Sequence, residues 1–188
     1  MRKVYLFNLI SLDGFFEGPN HDINWHNVDD EFNEFAIKQL TETDLILFGR
    51  VTYQMMANYW PTPEAIRTDP IVAGLMNSTQ KIVFSKTLNQ AGWENTRLVK
   101  EHAAEELTRL KSQPGKEIAI FGSAILASRL LKSGVIDEYR LLVNPLVLGS
   151  GTALFKPEDG RQDLKLVNTR MFMSGNVMLY YQPKGNQH

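Results

Sequence analysis

Two segments of the chain each join a short apolar run to a glycine and then to a helix-forming stretch, a pattern typical of anion-binding turns. Residues 44–48 lead into Gly49, and residues 117–121 lead into Gly122. Glycine lets the backbone approach a ligand closely, and the free N–H groups of a helix's first turn, with the helix dipole behind them, favour an anion. Two such turns predict two phosphate contacts, as a dinucleotide requires.

The composition favours one globular domain over residues 1–188. The chain is 43% hydrophobic and 22% charged, and its net charge of -1 argues against nucleic-acid and membrane partners. Cysteine is absent, which excludes disulfides, thiolate catalysis and Cys-ligated zinc, and the four histidines lack metal-ligand spacing. We therefore expect a cytoplasmic protein without a metal.

Apolar periodicity and turn residues predict strands that alternate with helices. A helix is expected over 29–41 after a Gly-, Pro- and Asn-rich loop at 12–27. Strands separated by helices imply parallel pairing, and the turn at 173–175 predicts a closing antiparallel hairpin, so the expected class is α/β with a mixed, mostly parallel sheet. Strands are predicted over 3–11, 44–48, 81–85, 96–99, 117–121, 136–147, 164–172 and 176–182, and further helices from 50 to about 60 and over 70–77, 103–111 and 123–132.

Four short motifs follow one another along the chain: Ser11–Gly14, Gly49–Tyr53, Phe121–Ser123, and 136–138 followed by 145–152. Together they resemble the reductase domain at the C-terminal end of the bifunctional riboflavin-biosynthesis deaminase-reductase, and the wider group of bacterial dihydrofolate-reductase-like proteins. The resemblance covers nearly the whole chain. It implies a three-layer dihydrofolate-reductase-like fold that binds NADPH across the carboxyl ends of the parallel strands.

The resemblance also implies which residues contact this cofactor. Arg50 would contact the 2′-phosphate or the adjacent phosphates, Thr52 would hydrogen-bond the pyrophosphate, and Lys86 would add a charge that favours NADPH over NADH. Loop 12–27 would act as a lid. The other implied contacts are Ile10, Ser11 and Gly14 near the nicotinamide, Gly49 at the first turn, Ser85 and Thr87 near the adenosine, and Gly122, Ser123, Ala124 and Ile125 at the second turn. Dihydrofolate reductases carry a Gly-Gly step with a cis bond at this second turn, so the geometry of the Gly122–Ser123 bond stays open.

The resemblance places candidates for substrate chemistry near the lid. Counted from Trp25, Asp30 falls where a dihydrofolate reductase keeps its substrate-binding carboxylate, and Asp29 is a rival one residue away. Thr152 falls near that family's threonine partner, so we expect a hydrogen bond between Asp30 and Thr152. A buried carboxylate of this kind can bind ring nitrogens and help to deliver a proton.

The expected function is an NADPH-dependent reductase that transfers hydride to a small heteroaromatic substrate, pterin-like or pyrimidine-like. Glu138, which matches an Asp-Glu pair of the family, is a third catalytic candidate. Riboflavin reductases carry a lysine where Phe7 stands, which argues against a phosphorylated ribosyl-pyrimidine as the substrate. The alternative is a non-catalytic nucleotide-binding or structural homodimer of the same fold.

Each candidate also has a purely structural interpretation. Thr52 can cap a helix, Arg50 can be a solvated side chain, and Asp13 can order a loop. Asp30 is favoured by the dipole at a helix N-terminus, and Glu138 can pair with a lysine or a partner subunit. The two glycines can simply permit tight turns, although their joint placement with Arg50 and Thr52 favours ligand binding.

The last third of the chain carries more apolar side chains than one face of a sheet can bury. Residues 136–148 form a long apolar strand, and the closing hairpin adds Met171, Met173, Val177 and Leu179. A large exposed apolar surface usually marks an interface, and homo-oligomers are most often twofold symmetric. We therefore expect a homodimer.

Overall fold

Eight strands form one mixed sheet in the computed structural model, which describes residues 1–185. The strands of this sheet are β1 (Val4–Ser11), β3 (Thr43–Gly49), β4 (Gln80–Phe84), β5 (Thr96–Val99), β6 (Glu117–Phe121), β7 (Glu138–Asn144), β9 (Leu164–Met171) and β10 (Val177–Pro183), and a separate pair is formed by β2 (Phe15–Glu17) and β8 (Thr152–Ala153). The order is β5–β4–β3–β6–β1–β7–β10–β9. The first six strands are parallel, and β10 and β9 continue the sheet antiparallel to their neighbours.

Helices cover both faces of the sheet and give the fold its three layers. They are α1 (Asp30–Thr41), α2 (Arg50–Tyr59), α3 (Pro63–Thr68), α4 (Pro70–Ser78), α5 (Ala103–Lys111) and α6 (Ala124–Leu131). Helices α1, α2 and α4 pack on one face, and α5 and α6 on the other. The predicted α/β class, the mostly parallel sheet and the C-terminal hairpin are confirmed.

One helix is added and one predicted strand is shorter, both for local reasons. Helix α3 was not expected, and it forms because the Thr62 hydroxyl accepts a hydrogen bond from Ala65 N while Pro63 occupies the first helical position. Strand β7 is shorter than the predicted 136–147. Asp137 uses its carboxylate to accept a hydrogen bond from Val4 N, and Pro145 has no N–H to continue the ladder.

The parallel strands align their carboxyl ends along one edge, which we call the carboxyl edge. It is formed by Ser11, Gly49, Phe84, Phe121 and Asn144. Both glycine turns of the sequence therefore lie at this edge, on the neighbouring strands β3 and β6. Within residues 1–185, no helix is long and apolar enough to cross a membrane.

Candidate functional site at the carboxyl edge

The two glycine turns touch each other. A Cβ added to Gly49 would clash with the Ser123 side chain, and a Cβ added to Gly122 would lie 2.7 Å from Oγ1 of Thr52. Gly122 also has a φ of 64°, which favours glycine. Each turn thus needs its glycine to admit a side chain of the other, so the fold brings both predicted phosphate contacts into one site.

The two helices at this site begin differently. Ser123 caps α6 by accepting a hydrogen bond from Leu126 N at 3.2 Å, whereas no described side chain caps the first turn of α2. The Gly122–Ser123 peptide bond is trans, and Ser123 has a φ of 61°. The amides of the first turn of α2 are therefore better able than those of α6 to donate hydrogen bonds to an anion.

Arg50 and Thr52 lie on opposite sides of this uncapped turn. Arg50 is exposed, and its Nη1 lies 3.0 Å from Oε1 of Gln54, so its guanidinium can still reach a ligand at the edge. Thr52 is buried against Gly122 and does not cap α2, which excludes the capping interpretation. Its hydroxyl faces the junction of the two turns.

The residues predicted at the adenosine end follow β4. They lie beside the Gly49 turn in space, because β4 pairs with β3. Ser85 Oγ accepts hydrogen bonds from Leu88 N at 3.0 Å and Thr87 N at 3.2 Å, which closes a turn. Lys86 Nζ lies 3.4 Å from Glu101 Oε1, and both side chains are exposed. A pair this exposed contributes little to stability and leaves Lys86 free to exchange partners.

Ser11 and Asp13 order the start of the lid loop. Ser11 is fully buried, and its Oγ accepts a hydrogen bond from Phe15 N at 3.0 Å. The Asp13 carboxylate accepts hydrogen bonds from Gly149 N at 2.8 Å and Leu148 N at 3.1 Å. The Ser11 hydroxyl and these two amides hold the pKa of the Asp13 carboxyl at about 2. Asp13 is thus a loop-ordering residue, which agrees with its structural interpretation.

The carboxylate that pairs with Thr152 is Glu17, which the sequence did not single out. Thr152 Oγ1 donates to Glu17 Oε1 at 2.7 Å, and His21 Nδ1 lies 2.9 Å from the same oxygen. Glu17 is buried where β2 pairs with β8. The three-residue strand that carries Glu17 is too short to show a periodic sequence pattern. Only its pairing with β8 shows that Glu17 lies beside Thr152.

The predicted hydrogen bond between Asp30 and Thr152 is therefore wrong. Asp30 lies exposed in the first turn of α1, and Asp29 is the N-cap that accepts a hydrogen bond from Phe32 N at 2.8 Å. Phe32 points into the core, and two residues of α-helix rotate Asp30 by about 200° from it. A role of Asp30 toward a bound ring stays a prediction.

Glu138 lies far from the carboxyl edge. This position corrects its prediction as a catalytic residue of the same site. It begins β7, and six residues of strand separate it from Asn144 by about 20 Å. Its carboxylate pairs with Lys3 Nζ at 2.6 Å and Arg140 Nε at 2.8 Å. Burial alone would raise the pKa of this carboxyl, but the hydrogen bonds from Lys3 and Arg140 hold it below its ordinary value. Pairing with a lysine, the structural interpretation, describes Glu138 correctly.

Aromatic rings line the other face of β1 near the edge. Phe7 is only partly buried, and its ring centroid lies 5.6 Å from that of Phe121, 6.1 Å from that of Phe35 and 6.5 Å from that of Phe32. Phe7 contacts both the cluster under α1 and the cluster under α2 and α4. An incompletely covered ring at the boundary of two helices provides an apolar surface for a flat ligand.

The end of the lid is held by asparagines that sequence reasoning also missed. Asn144 Oδ1 accepts a hydrogen bond from Asn27 N at 2.9 Å, and Asn176 Nδ2 donates to Asn27 O at 2.7 Å. Asn144 and Asn176 are both fully buried. A polar residue directly after an apolar run, as Asn144 is after residues 141–143, was the available signal.

The strand order, the helix layers and the glycine turns define the dihydrofolate-reductase type of α/β fold. Solved structures agree at the level of the fold. A putative riboflavin biosynthesis protein from Shewanella sp. PV-4 superposes with a TM-score of 0.73 at 21% identity, covering 97% of this chain and 99% of that one. A pyrimidine reductase-like protein from Corynebacterium diphtheriae gives 0.69 at 16% identity, covering 98% and 93%.

The chain belongs to the RibD C-terminal domain family, whose model matches residues 2–178. It is 36% identical over 186 residues to the uncharacterized protein YyaP of Bacillus subtilis (strain 168), covering 98% of this chain and 96% of that protein. The uncharacterized protein YwjB of the same organism is 29% identical over 182 residues, covering 96% of this chain and 97% of that protein. The recognition of this family from the four motifs is confirmed.

Proposed function

We propose that the protein is an NADPH-dependent reductase that transfers hydride to a small heteroaromatic substrate, pterin-like or pyrimidine-like. The observation that carries this proposal is the interlocked pair of glycine turns at the carboxyl edge, next to a helix start that no described side chain caps. Family membership supports a reductase of this general kind. The structural likeness to a pyrimidine reductase-like protein is consistent with it.

The residues at the edge fit a dinucleotide phosphate. Amides of the first turn of α2 suit the pyrophosphate, and Thr52 can add a hydroxyl donor at the junction of the turns. Arg50 supplies the charge for a further phosphate, and Lys86 lies on the side of β4 where the adenosine end would extend. NADPH supplies the hydride when it is bound, and the chain's own residues orient it and exclude water.

The substrate ring would lie on the aromatic side of β1, against Phe7. This surface is apolar, which favours stacking of a flat ring and a dry pocket for hydride transfer. The lid loop would close over it, because Asp13 and Asn27 tie both ends of the loop to the edge. Ser11 holds the first turn of the same loop.

NADPH titration monitored by nicotinamide fluorescence tests the cofactor. Wild type should bind NADPH, and Gly49→Ala should weaken binding at least tenfold, because the added Cβ meets the Ser123 side chain and separates the turns. Gly74→Ala is the matched control, since a Cβ at Gly74 on α4 meets nothing within 4 Å. Absence of binding to wild type would overturn the proposed function.

The proton that accompanies hydride needs a donor, and two carboxylates compete for the role. Asp30→Asn should leave NADPH binding nearly unchanged and suppress turnover of any accepted pterin or pyrimidine, most of all at higher pH, if Asp30 turns toward the ring. Glu17→Gln is the comparison, because Glu17 is the buried carboxylate of the lid. Initial rates across pH with both variants decide: a full rate in Asp30→Asn together with a loss in Glu17→Gln would reject Asp30.

A second candidate function is nucleotide binding without turnover. The exposed position of Asp30 and the remote position of Glu138 favour it, since neither carboxylate is held toward the aromatic surface. NADPH binding by wild type with no oxidation of NADPH by any tested pterin or pyrimidine would support this candidate over the reductase.

A further inference from the structure

Tyr53 ends the Gly49–Tyr53 motif, and its side chain packs in the core rather than at the surface of the site. It is 3% exposed, and its ring centroid lies 6.4 Å from that of Phe48 and 6.2 Å from that of Trp93. A phenylalanine would fill this aromatic cluster as well, so packing alone does not explain the hydroxyl. The hydroxyl accepts a hydrogen bond from Trp93 N at 3.0 Å and thereby ties α2 to a segment distant in sequence.

Trp93 belongs to the segment that carries the residues proposed for the adenosine end. Within the described chain, residues 85–95 join β4 to β5 without a helix or strand. Lys86 lies near the start of this segment, and Leu88 packs against the hydrophobic cluster that contains Tyr53. A segment outside the backbone ladders of a sheet needs other contacts to hold its position.

The indole of Trp93 is held by partners outside α2. Its Nε1 donates a hydrogen bond to Asn77 Oδ1 at 2.8 Å, and Lys81 Nζ lies 4.5 Å from the ring centroid. Asn77 belongs to α4 and Lys81 to β4. The backbone N–H of Trp93, in contrast, is held by α2 through Tyr53. This hydrogen bond is therefore a direct tie between α2 and residues 85–95.

Tyr53 lies about one helical turn from Arg50, because both residues belong to α2. One helix therefore carries the phosphate turn at its start and, one turn later, the contact that holds the segment after β4. A ligand that spans both regions binds best when their separation is fixed beforehand, because otherwise binding must order the segment. A buried side chain can supply this order without touching the ligand.

We propose that Tyr53 is a positioning residue, whose hydroxyl fixes residues 85–95 relative to the Gly49 turn so that one dinucleotide reaches both. This inference rests on the proposed function, because it takes the adenosine end of the cofactor to lie along the segment after β4. The hydroxyl acts on the ligand only through this segment.

Tyr53→Phe separates packing from positioning, because it keeps the ring and removes the acceptor. The variant should bind NADPH about three- to tenfold more weakly than wild type, because binding must then order the segment at a cost comparable with one neutral hydrogen bond. Tyr139→Phe is the matched control, since Tyr139 is a buried tyrosine near the opposite edge whose hydroxyl donates to Gln162 Oε1 at 2.7 Å. Both variants should lower the Tm, and only Tyr53→Phe should change the affinity measured by nicotinamide fluorescence.

Amide hydrogen exchange shows whether the effect passes through the segment. In ligand-free Tyr53→Phe, the Leu88 amide, which donates to Ser85 Oγ at 3.0 Å, should exchange about three- to tenfold faster than in wild type. Saturation with NADPH should remove most of this difference, because the ligand then orders the segment. Tyr139→Phe should leave exchange at Leu88 unchanged with and without NADPH.

The possible failures are distinguishable. If wild type binds NADPH and Tyr53→Phe binds it as tightly, or if exchange at Leu88 in the free variant matches wild type, the role of Tyr53 is rejected and the proposed function stands. Equal weakening of NADPH binding in Tyr139→Phe rejects the role of Tyr53 in the same way, since the effect would then be one of general stability. If wild type does not bind NADPH, the proposed function is rejected, and the role of Tyr53 with it.

Discussion

At the scale of single residues, the charge of Arg50 is the feature most directly linked to cofactor choice. Its guanidinium is exposed at the start of α2, where Nη1 lies 3.0 Å from Oε1 of Gln54. If it contacts the 2′-phosphate, NADPH should bind more tightly than NADH, and Arg50→Ala should reduce this preference by about tenfold or more, the effect of losing one charged hydrogen-bond partner.

Fluorescence titrations with both cofactors measure this preference. Arg161→Ala is the matched control, since Arg161 is an exposed arginine that pairs with Asp163 in the groove beside Tyr139, at the start of β7. Equal affinity of wild type for NADPH and NADH would show that the charge argument is wrong.

His26 is a second residue with a measurable consequence, because it titrates within the lid. Burial lowers the pKa of its imidazole from 6.5 to about 4, and its Nε2 has no hydrogen-bond partner within residues 1–185. Between these two values the unfolded chain binds a proton that the folded chain does not, so the free energy of unfolding should fall as the pH drops through this window. The free energy of unfolding should decrease by at most about 3 kcal/mol across this window.

Urea unfolding between pH 7 and pH 4 tests this dependence. His26→Phe should remove most of the slope in the window, and His102→Phe should keep it, because His102 is exposed beside Glu101 and Glu105 rather than buried. A wild-type stability that is constant from pH 7 to pH 4 would contradict the burial of a neutral His26.

At the scale of elements, the lid depends on contacts between the loop after β1 and the loop after β7. Asp13 contributes two charge-assisted hydrogen bonds to this junction, and β2 pairs with β8 beyond it. Asp13→Asn keeps the shape but weakens both bonds, so hydrogen exchange at the amides of Leu148 and Gly149 should accelerate about tenfold. Asp163→Asn, on an exposed ion pair, should leave these amides unchanged.

The same contacts give wild type an acid-sensitive lid. The pKa of Asp13 lies at about 2, below its ordinary value of 3.8, so the stabilisation is present above the ordinary value and is lost as the pH falls toward 2. The protection factor of the Gly149 amide, which is the ratio of its intrinsic to its observed exchange rate, should therefore fall in wild type over this lower range, separately from the His26 window. If Asp13→Asn and wild type exchange equally at pH 7, the carboxylate does not hold the loop.

At the scale of the whole molecule, we propose that a second copy of the chain covers the β9 end of the sheet. β9 is an edge strand with exposed apolar side chains, namely Leu166, Val167 and Met171 at 48%, 41% and 80% exposure. An exposed apolar edge of this kind is a liability unless it is covered. Light scattering should give about twice the chain mass of 21.4 kDa at micromolar concentration.

Introducing charged side chains on β9 tests whether this strand forms the interface. The double variant Leu166→Lys/Met171→Lys should be monomeric, because the lysines would have to be desolvated in the interface. Ile66→Lys/Ile71→Lys is the matched control, since these exposed isoleucines lie on α3 and α4. A wild-type mass near that of one chain would reject the homodimer.

Much of the fold was accessible from the sequence because its signals are local. Apolar runs of four to five residues and helical spacing of aromatics predicted most strands and helices within a few residues, and glycine marked the two turns that meet at the carboxyl edge. The elements that were missed, α3 and the β2–β8 pair, are short. Their stability comes from a capping threonine and from pairing with a distant segment, so they have no periodicity to detect.

The sequence by itself determined the family, the α/β class and the presence of two glycine turns after buried strands, because each depends on residues that are neighbours in the chain. Tertiary structure alone decided which side chains meet across the turns. It paired Thr152 with Glu17 rather than Asp30, and it placed Glu138 at the opposite edge. These outcomes depend on strand register and on the rotation of α1, and both are set by burial of apolar side chains far apart in sequence.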